Sequence, residues 1–138
     1  WDNGDNNAAT FYGQYARIIQ LIRSVAPSAV IFCLTLPYPR ESAATNNAIR
    51  DIANDAHVSS NTFIVDLTDY DAVLQDEIVG DYVVPGTYDK FYYNSHFTAI
   101  GYALVADMIE DAIGDIMSAN PSSAVIQGIG QIPYSDNI

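Results

Sequence analysis

Two short apolar runs constrain this chain more than any other feature. Residues 29–36 (Ala-Val-Ile-Phe-Cys-Leu-Thr-Leu) and 62–67 (Thr-Phe-Ile-Val-Asp-Leu) are rich in strand formers and nearly unbroken by polar residues. Runs of that length and composition read as strands covered on both faces, which parallel sheets require. Each lies among segments of helical period. In 10–26, Phe11, Tyr15, Ile18, Ile19, Ile22 and Val25 recur at spacings of three and four, with Thr10 placed to cap and Pro27 just beyond. In 43–58, Ala44, Ala48, Ile49, Ile52 and Ala56 mark an inner side. In 98–117, Ile100, Leu104, Met108 and Ile109 share a face that Ile113 and Ile116 continue. A short helix is expected over 71–78, in an otherwise irregular 68–95. Helix, strand, helix, strand, loop, helix is the order of an α/β protein with a parallel sheet. Such sheets place ligand sites beyond the carboxyl ends of their strands. Here those ends are residues 37–42, residues 66–71 and the segment before the last helix, where His96 sits.

Composition excludes several classes. The 138 residues fit one domain, and 49% are hydrophobic, unlike a disordered chain. Seventeen acidic residues against five basic ones give a formal charge of −12, which opposes binding to nucleic-acid phosphates or an anionic membrane surface. One cysteine excludes an internal disulfide and any multi-cysteine zinc site. No apolar run approaches the ~20 residues needed to cross a bilayer. The start at Trp1, with no signal-peptide pattern, reads as a processed product or a fragment. Scarce cysteine with abundant Asn, Ser, Thr and Tyr fits an extracellular, virion-surface or cell-surface protein. Residues 1–120 are expected to form the domain. Residues 121–138, broken off by Asn120-Pro121 and alternating in hydropathy from 124, are expected to form an extended arm or an edge strand.

The densest chemistry lies in Asn94-Ser95-His96-Phe97-Thr98-Ala99-Ile100-Gly101-Tyr102. A histidine at a helix entrance combines loop access with a rigid support, which suits a general base; the alternative is a surface histidine beside a cap. Thr98 is placed to cap the helix. Gly101, in the first turn, permits close approach of another element.

His-x-Thr-x-x-Gly-Tyr before an apolar helix resembles the last conserved block of the SGNH (GDSL-type) ester hydrolases. The elements before it, including a strand closing in Thr-x-Pro and one of Ile-Val-Asp-Leu type, resemble that family in order over residues 1–117. The resemblance implies a three-layer α/β/α sandwich of flavodoxin-like kind. It makes His96 the base that activates a serine for acyl transfer, without metal or cofactor. Three departures stand out. Ten serines are present, but no Gly-Asp-Ser motif and no G-x-S-x-G elbow, so the N-terminal strands and the nucleophile are expected from a preceding segment or a second chain. Tyr93 occupies the place of the family's usual Asp, three residues before the histidine. Losing that group costs about four orders of magnitude in rate in the serine-hydrolase template. Asp89, seven residues before His96, is the candidate replacement. Finally, Gly4-Asp5-Asn6-Asn7 has the Gly-x-Asn spacing of the family's oxyanion asparagine, a contact worth ~3 kcal/mol, and makes Asn6 a candidate donor.

Other residues have plainer readings. His57 near a helix end reads as capping or solvated, and Cys33 among Ile, Phe and Leu as a buried inert thiol. Asp66, Asp69 and Asp71 alternate but lack the calcium-loop pattern, and read as solvated. Tyr88, Phe91, Tyr92 and Tyr93 form either a plug under the loop or the lining of a carbohydrate or acyl pocket, with Tyr92 and Tyr93 the candidate substrate contacts. Two functions follow. One is an esterase, of the kind that removes O-acetyl groups from a glycan, in which this chain alone is expected to be inactive. The other is an inactive SGNH-derived carbohydrate-binding or structural module of a phage tail or bacterial surface protein.

Overall fold

The computed structural model describes residues 10–55, 61–78, 89–94 and 96–120. The predicted arm over 121–138, Asn6, His57 and Tyr88 lie outside them. The described residues form a mixed α/β arrangement around a small parallel sheet. Helix α1 (Phe11–Val25) leads to strand β1 (Ile31–Leu34). Helix α2 (Ala43–Asn54) then crosses to β2 (Thr62–Val65), which pairs in parallel with β1 in the register Ile31↔Thr62 to Leu34↔Val65. A 3₁₀ turn (Leu67–Tyr70) runs into α3 (Asp71–Glu77). A two-residue hairpin of β3 (Tyr92–Tyr93) and β4 (His96–Phe97) precedes α4 (Ala99–Ala119). Among the described residues, no helix is long and apolar enough to cross a membrane.

The period-two alternation of the strands divides the core. Ile31, Cys33 and Ile64 pack with Tyr12, Ala16 and Ile19 of α1 and Ile49, Ile52 and Ala53 of α2. Phe32, Leu34 and Val65 pack into a second cluster with Leu67, Leu74, Tyr92, Val105 and Met108. Cys33 and Val65 are wholly buried, as strand residues covered on two sides should be. The expected inner sides need partial correction: on α2, Ile49 and Ile52 are buried as expected, but Ala44 is exposed. Of the residues expected inward on α1, Ile19 is buried, whereas Phe11, Ile18, Ile22 and Val25 are exposed and Tyr12 and Ala16 take the core. On α4 only Ile100 departs, being 52% exposed; Leu104, Met108, Ile109, Ile113 and Ile116 pack into the second cluster as expected, joined by Val105.

Polar side chains fix the sheet ends. Arg23 donates to the Ala29 carbonyl and to Thr62 Oγ1, so the last turn of α1 holds the entrance of both strands. Asn46, buried on α2, receives the Leu36 N–H (2.8 Å) and donates back to the Leu36 carbonyl (3.0 Å). Its carboxamide stands where a neighbouring strand's peptide group would stand. Tyr12 donates to Asp55 at the end of α2.

Candidate active site

The carboxyl ends of β1 and β2 meet the hairpin through side-chain bonds that tie three loops together. The Tyr38 N–H donates to Asp71 Oδ1 (3.1 Å), joining the loop after β1 to the start of α3. Arg40 Nε donates to the Tyr92 hydroxyl (2.7 Å), joining that loop to the hairpin. The rim expected to hold a ligand site is therefore physically assembled, with the hairpin as its third component.

The hairpin is fastened to α4. Thr98 caps the helix by accepting from the Gly101 N–H (3.2 Å), as its position predicts. Its hydroxyl donates to the Lys90 carbonyl (2.6 Å), and its N–H donates to the Phe91 carbonyl (2.9 Å). Gly101 is obligatory for this contact. A Cβ there would lie 2.0 Å from the Phe91 carbonyl oxygen, far inside contact distance. Phe97 adds edge-on contacts with Tyr92 and Tyr102.

His96 is exposed, and it lies on β4 rather than on a free loop, directly across from Tyr93. In a strand the side chains alternate: Tyr92 is buried, whereas Tyr93, the cross-strand partner of His96, is 46% exposed. Among the described residues no hydrogen bond reaches the His96 side chain. Asp89, the candidate orienter, uses Oδ1 to accept the Phe91 N–H (2.7 Å), and its own N–H donates to the Tyr92 carbonyl, a local turn that leads into β3. Of the two candidate substrate residues, Tyr92 has its hydroxyl engaged by Arg40 inside the core, and Tyr93 faces outward.

Asp66 is the centre of a network rather than a solvated strand-end carboxylate. Arg50 grips both its oxygens (2.5 and 3.0 Å) and also donates to Thr68; Thr35 and Thr68 donate to Oδ1. Thr35 in turn accepts the Leu67 N–H (2.8 Å). The Arg50 bonds hold the Asp66 carboxyl well below the usual carboxylate range, against an opposing effect of burial, with Thr68 and Thr35 adding to the depression. The same pairing keeps Arg50 more firmly protonated. A cleft of about 250 Å³ lies beside this network, between Asp66, Asp69 and Tyr70 on one side and Ala112, Asp115 and Ile116 of α4 on the other. His96 is not part of its lining, and among the described residues no group of His, Cys, Asp or Glu is arranged to hold a metal ion. Cys33 is fully buried, and burial raises its pKa. Burial, reinforced by Cys33, pushes the Tyr15 phenol up to about 12.

Arg40, Asn46 and Arg50 escape the sequence reading because their partners lie 10 to 52 residues away. The one available signal is their position on segments flanking the strands in a chain with only five basic residues. No family model, curated protein or solved structure matches the chain.

Proposed function

We propose that this chain is the portion of an SGNH-like serine ester hydrolase that carries the general base, within a three-layer α/β/α domain whose leading strands and nucleophile come from another segment or chain. The observation that carries the reading is the exposed His96 side chain on a hairpin locked to a capped helix beside the strand-end loops. Motif, element order and rim position agree there. In the reaction, a serine hydroxyl supplied by the completing segment gives its proton to the imidazole as its oxygen attacks the acyl carbon. The imidazolium returns that proton to the departing alcohol, and a water deprotonated by His96 then releases the acid. No metal enters this scheme. An acylated glycan is the proposed substrate, with Tyr93 beside the base as its aromatic contact.

Tyr93 and Asp89 favour a second reading. A phenol stands opposite His96, and Asp89 Oδ1 accepts the Phe91 N–H, so among the described residues no carboxylate is hydrogen-bonded to the imidazole. A domain in that condition serves as an inactive glycan-binding or structural module. A serine-reactive phosphonate separates the two when applied to the complex of this chain with its completing segment. The hydrolase reading requires labelling of that segment's serine, with turnover of a chromogenic acetyl ester that falls at least ~100-fold in His96→Ala. A folded complex that neither labels nor turns over ester supports the binding module.

A further inference from the structure

We infer that the outer edge of β1 is a docking site for an added β-strand, apolar on both faces and running parallel to β1. This rests on reading the chain as part of a larger α/β domain, and it specifies where the completing segment attaches. The N–H groups of Ile31 and Thr35 donate to Asn61 and Val65, so the odd-numbered residues of β1 face β2. The peptide groups of Phe32 and Leu34 therefore point the other way, where no described strand lies. Leu36, next in that alternation, has both its polar backbone groups taken by the buried Asn46 carboxamide. Among the described residues the outer edge is thus closed by a peptide mimic at its end and left open at Phe32 and Leu34.

The character of the occupant follows from the surroundings. Ile31 and Cys33 are packed into one core cluster and Phe32 and Leu34 into the other, so a strand added alongside would be flanked by apolar side chains above and below. Its direction follows from the chain path. A helix that feeds a parallel strand is normally preceded by another strand of the same sheet, through a right-handed crossover. Helix α1 feeds β1 and presents Phe11, Ile18, Leu21, Ile22 and Val25 outward, an apolar flank that a continued domain would cover. Residues 1–9 (Trp-Asp-Asn-Gly-Asp-Asn-Asn-Ala-Ala) contain no run of strand formers, so the added strand comes from a different stretch of polypeptide.

Amide hydrogen exchange on the 138-residue chain tests this with a short peptide carrying a central Val-Ile-Val-Ile-Val run between Gly-Ser ends. In the chain alone, the Phe32 and Leu34 amides should exchange faster than those of Ile31, Cys33 and Thr35. Peptide should slow them by at least about tenfold. The same peptide N-methylated at alternate residues, on the edge that would pair, should have no effect. A nitroxide at the peptide N-terminus should broaden signals at the Ile31 end of β1, as a parallel pairing demands. The inference is overturned by no slowing, by equal slowing with the methylated peptide, or by broadening at the Leu34 end. It is equally overturned if the two amides are already protected in the monomer, or become protected through self-association as chain concentration rises. The peptide contributes no catalytic serine, so edge pairing and ester hydrolysis succeed or fail independently.

Discussion

Asp66 shows how one residue can govern the junction between the strands and the rim. Its carboxylate joins Arg50 on α2, Thr35 just past β1 and Thr68 in the 3₁₀ turn, so losing the charge loosens three segments together. Because its folded-state pKa is depressed, its stabilising contribution is complete above the unfolded value near 3.9. It is lost as pH falls from there toward the folded value. Asp66→Asn should therefore cost about 1–2 kcal/mol at neutral pH, nearer the exposed-pair limit than the buried one because Arg50 is one-third exposed. The gap from the natural chain should close below about pH 4. Urea unfolding of both proteins across that range measures it. Curves that stay parallel would mean that the charge on Asp66 does not stabilise the fold.

At the scale of elements, much was legible and one thing was not. The two apolar runs announced the parallel strands, and Thr98 and Gly101 announced the capped entrance of α4 with its close neighbour, because these signals act within a few residues. The inward face of α1 was not legible, since the helix carries two apolar stripes. Phe11, Ile18, Ile22 and Val25 recur at helical spacing as well as Tyr12, Ala16 and Ile19 do, and periodicity alone does not say which stripe meets the sheet. Neighbouring residues at 18 and 19 make the distinction measurable. Ile19→Ala should cost about 2–5 kcal/mol, because its side chain fills the cluster around Cys33 and Ile49. Ile18→Ala should change stability by less than about 0.5 kcal/mol, since its side chain is 56% exposed. Thermal unfolding of the isolated chain reads both. Equal losses would mean that the outward stripe is covered in solution. The rim was legible as a location but not as a construction. The bonds from Arg40 to Tyr92 and from Tyr38 to Asp71 span 52 and 33 residues, and no local pattern encodes them.

Over the whole molecule, net charge and local pairing pull in opposite directions. Seventeen carboxylates against five basic residues leave a formal −12, so compaction brings like charges together. Helix α1 contains no acidic residue and two of the five basic ones, Arg17 and Arg23, so the excess negative charge is carried elsewhere in the sequence. Added salt screens the diffuse repulsion between exposed carboxylates, and it also weakens the partly exposed Asp66–Arg50 pair. Repulsion should dominate, because it sums over many carboxylates, whereas the ion pair is supported by short bonds from Thr35 and Thr68 that salt screens little. Raising sodium chloride from about 0.02 to 0.5 M, which shortens the screening length to a few ångströms, should raise the Tm by several degrees. Calorimetry at neutral pH measures the shift, and a fall in Tm would mean that ion pairing outweighs repulsion. Asp66→Asn removes the opposing contribution along with one negative charge, so its Tm should rise with salt at least as steeply as that of the natural chain. The two slopes together separate repulsion across the molecule from attraction at one junction.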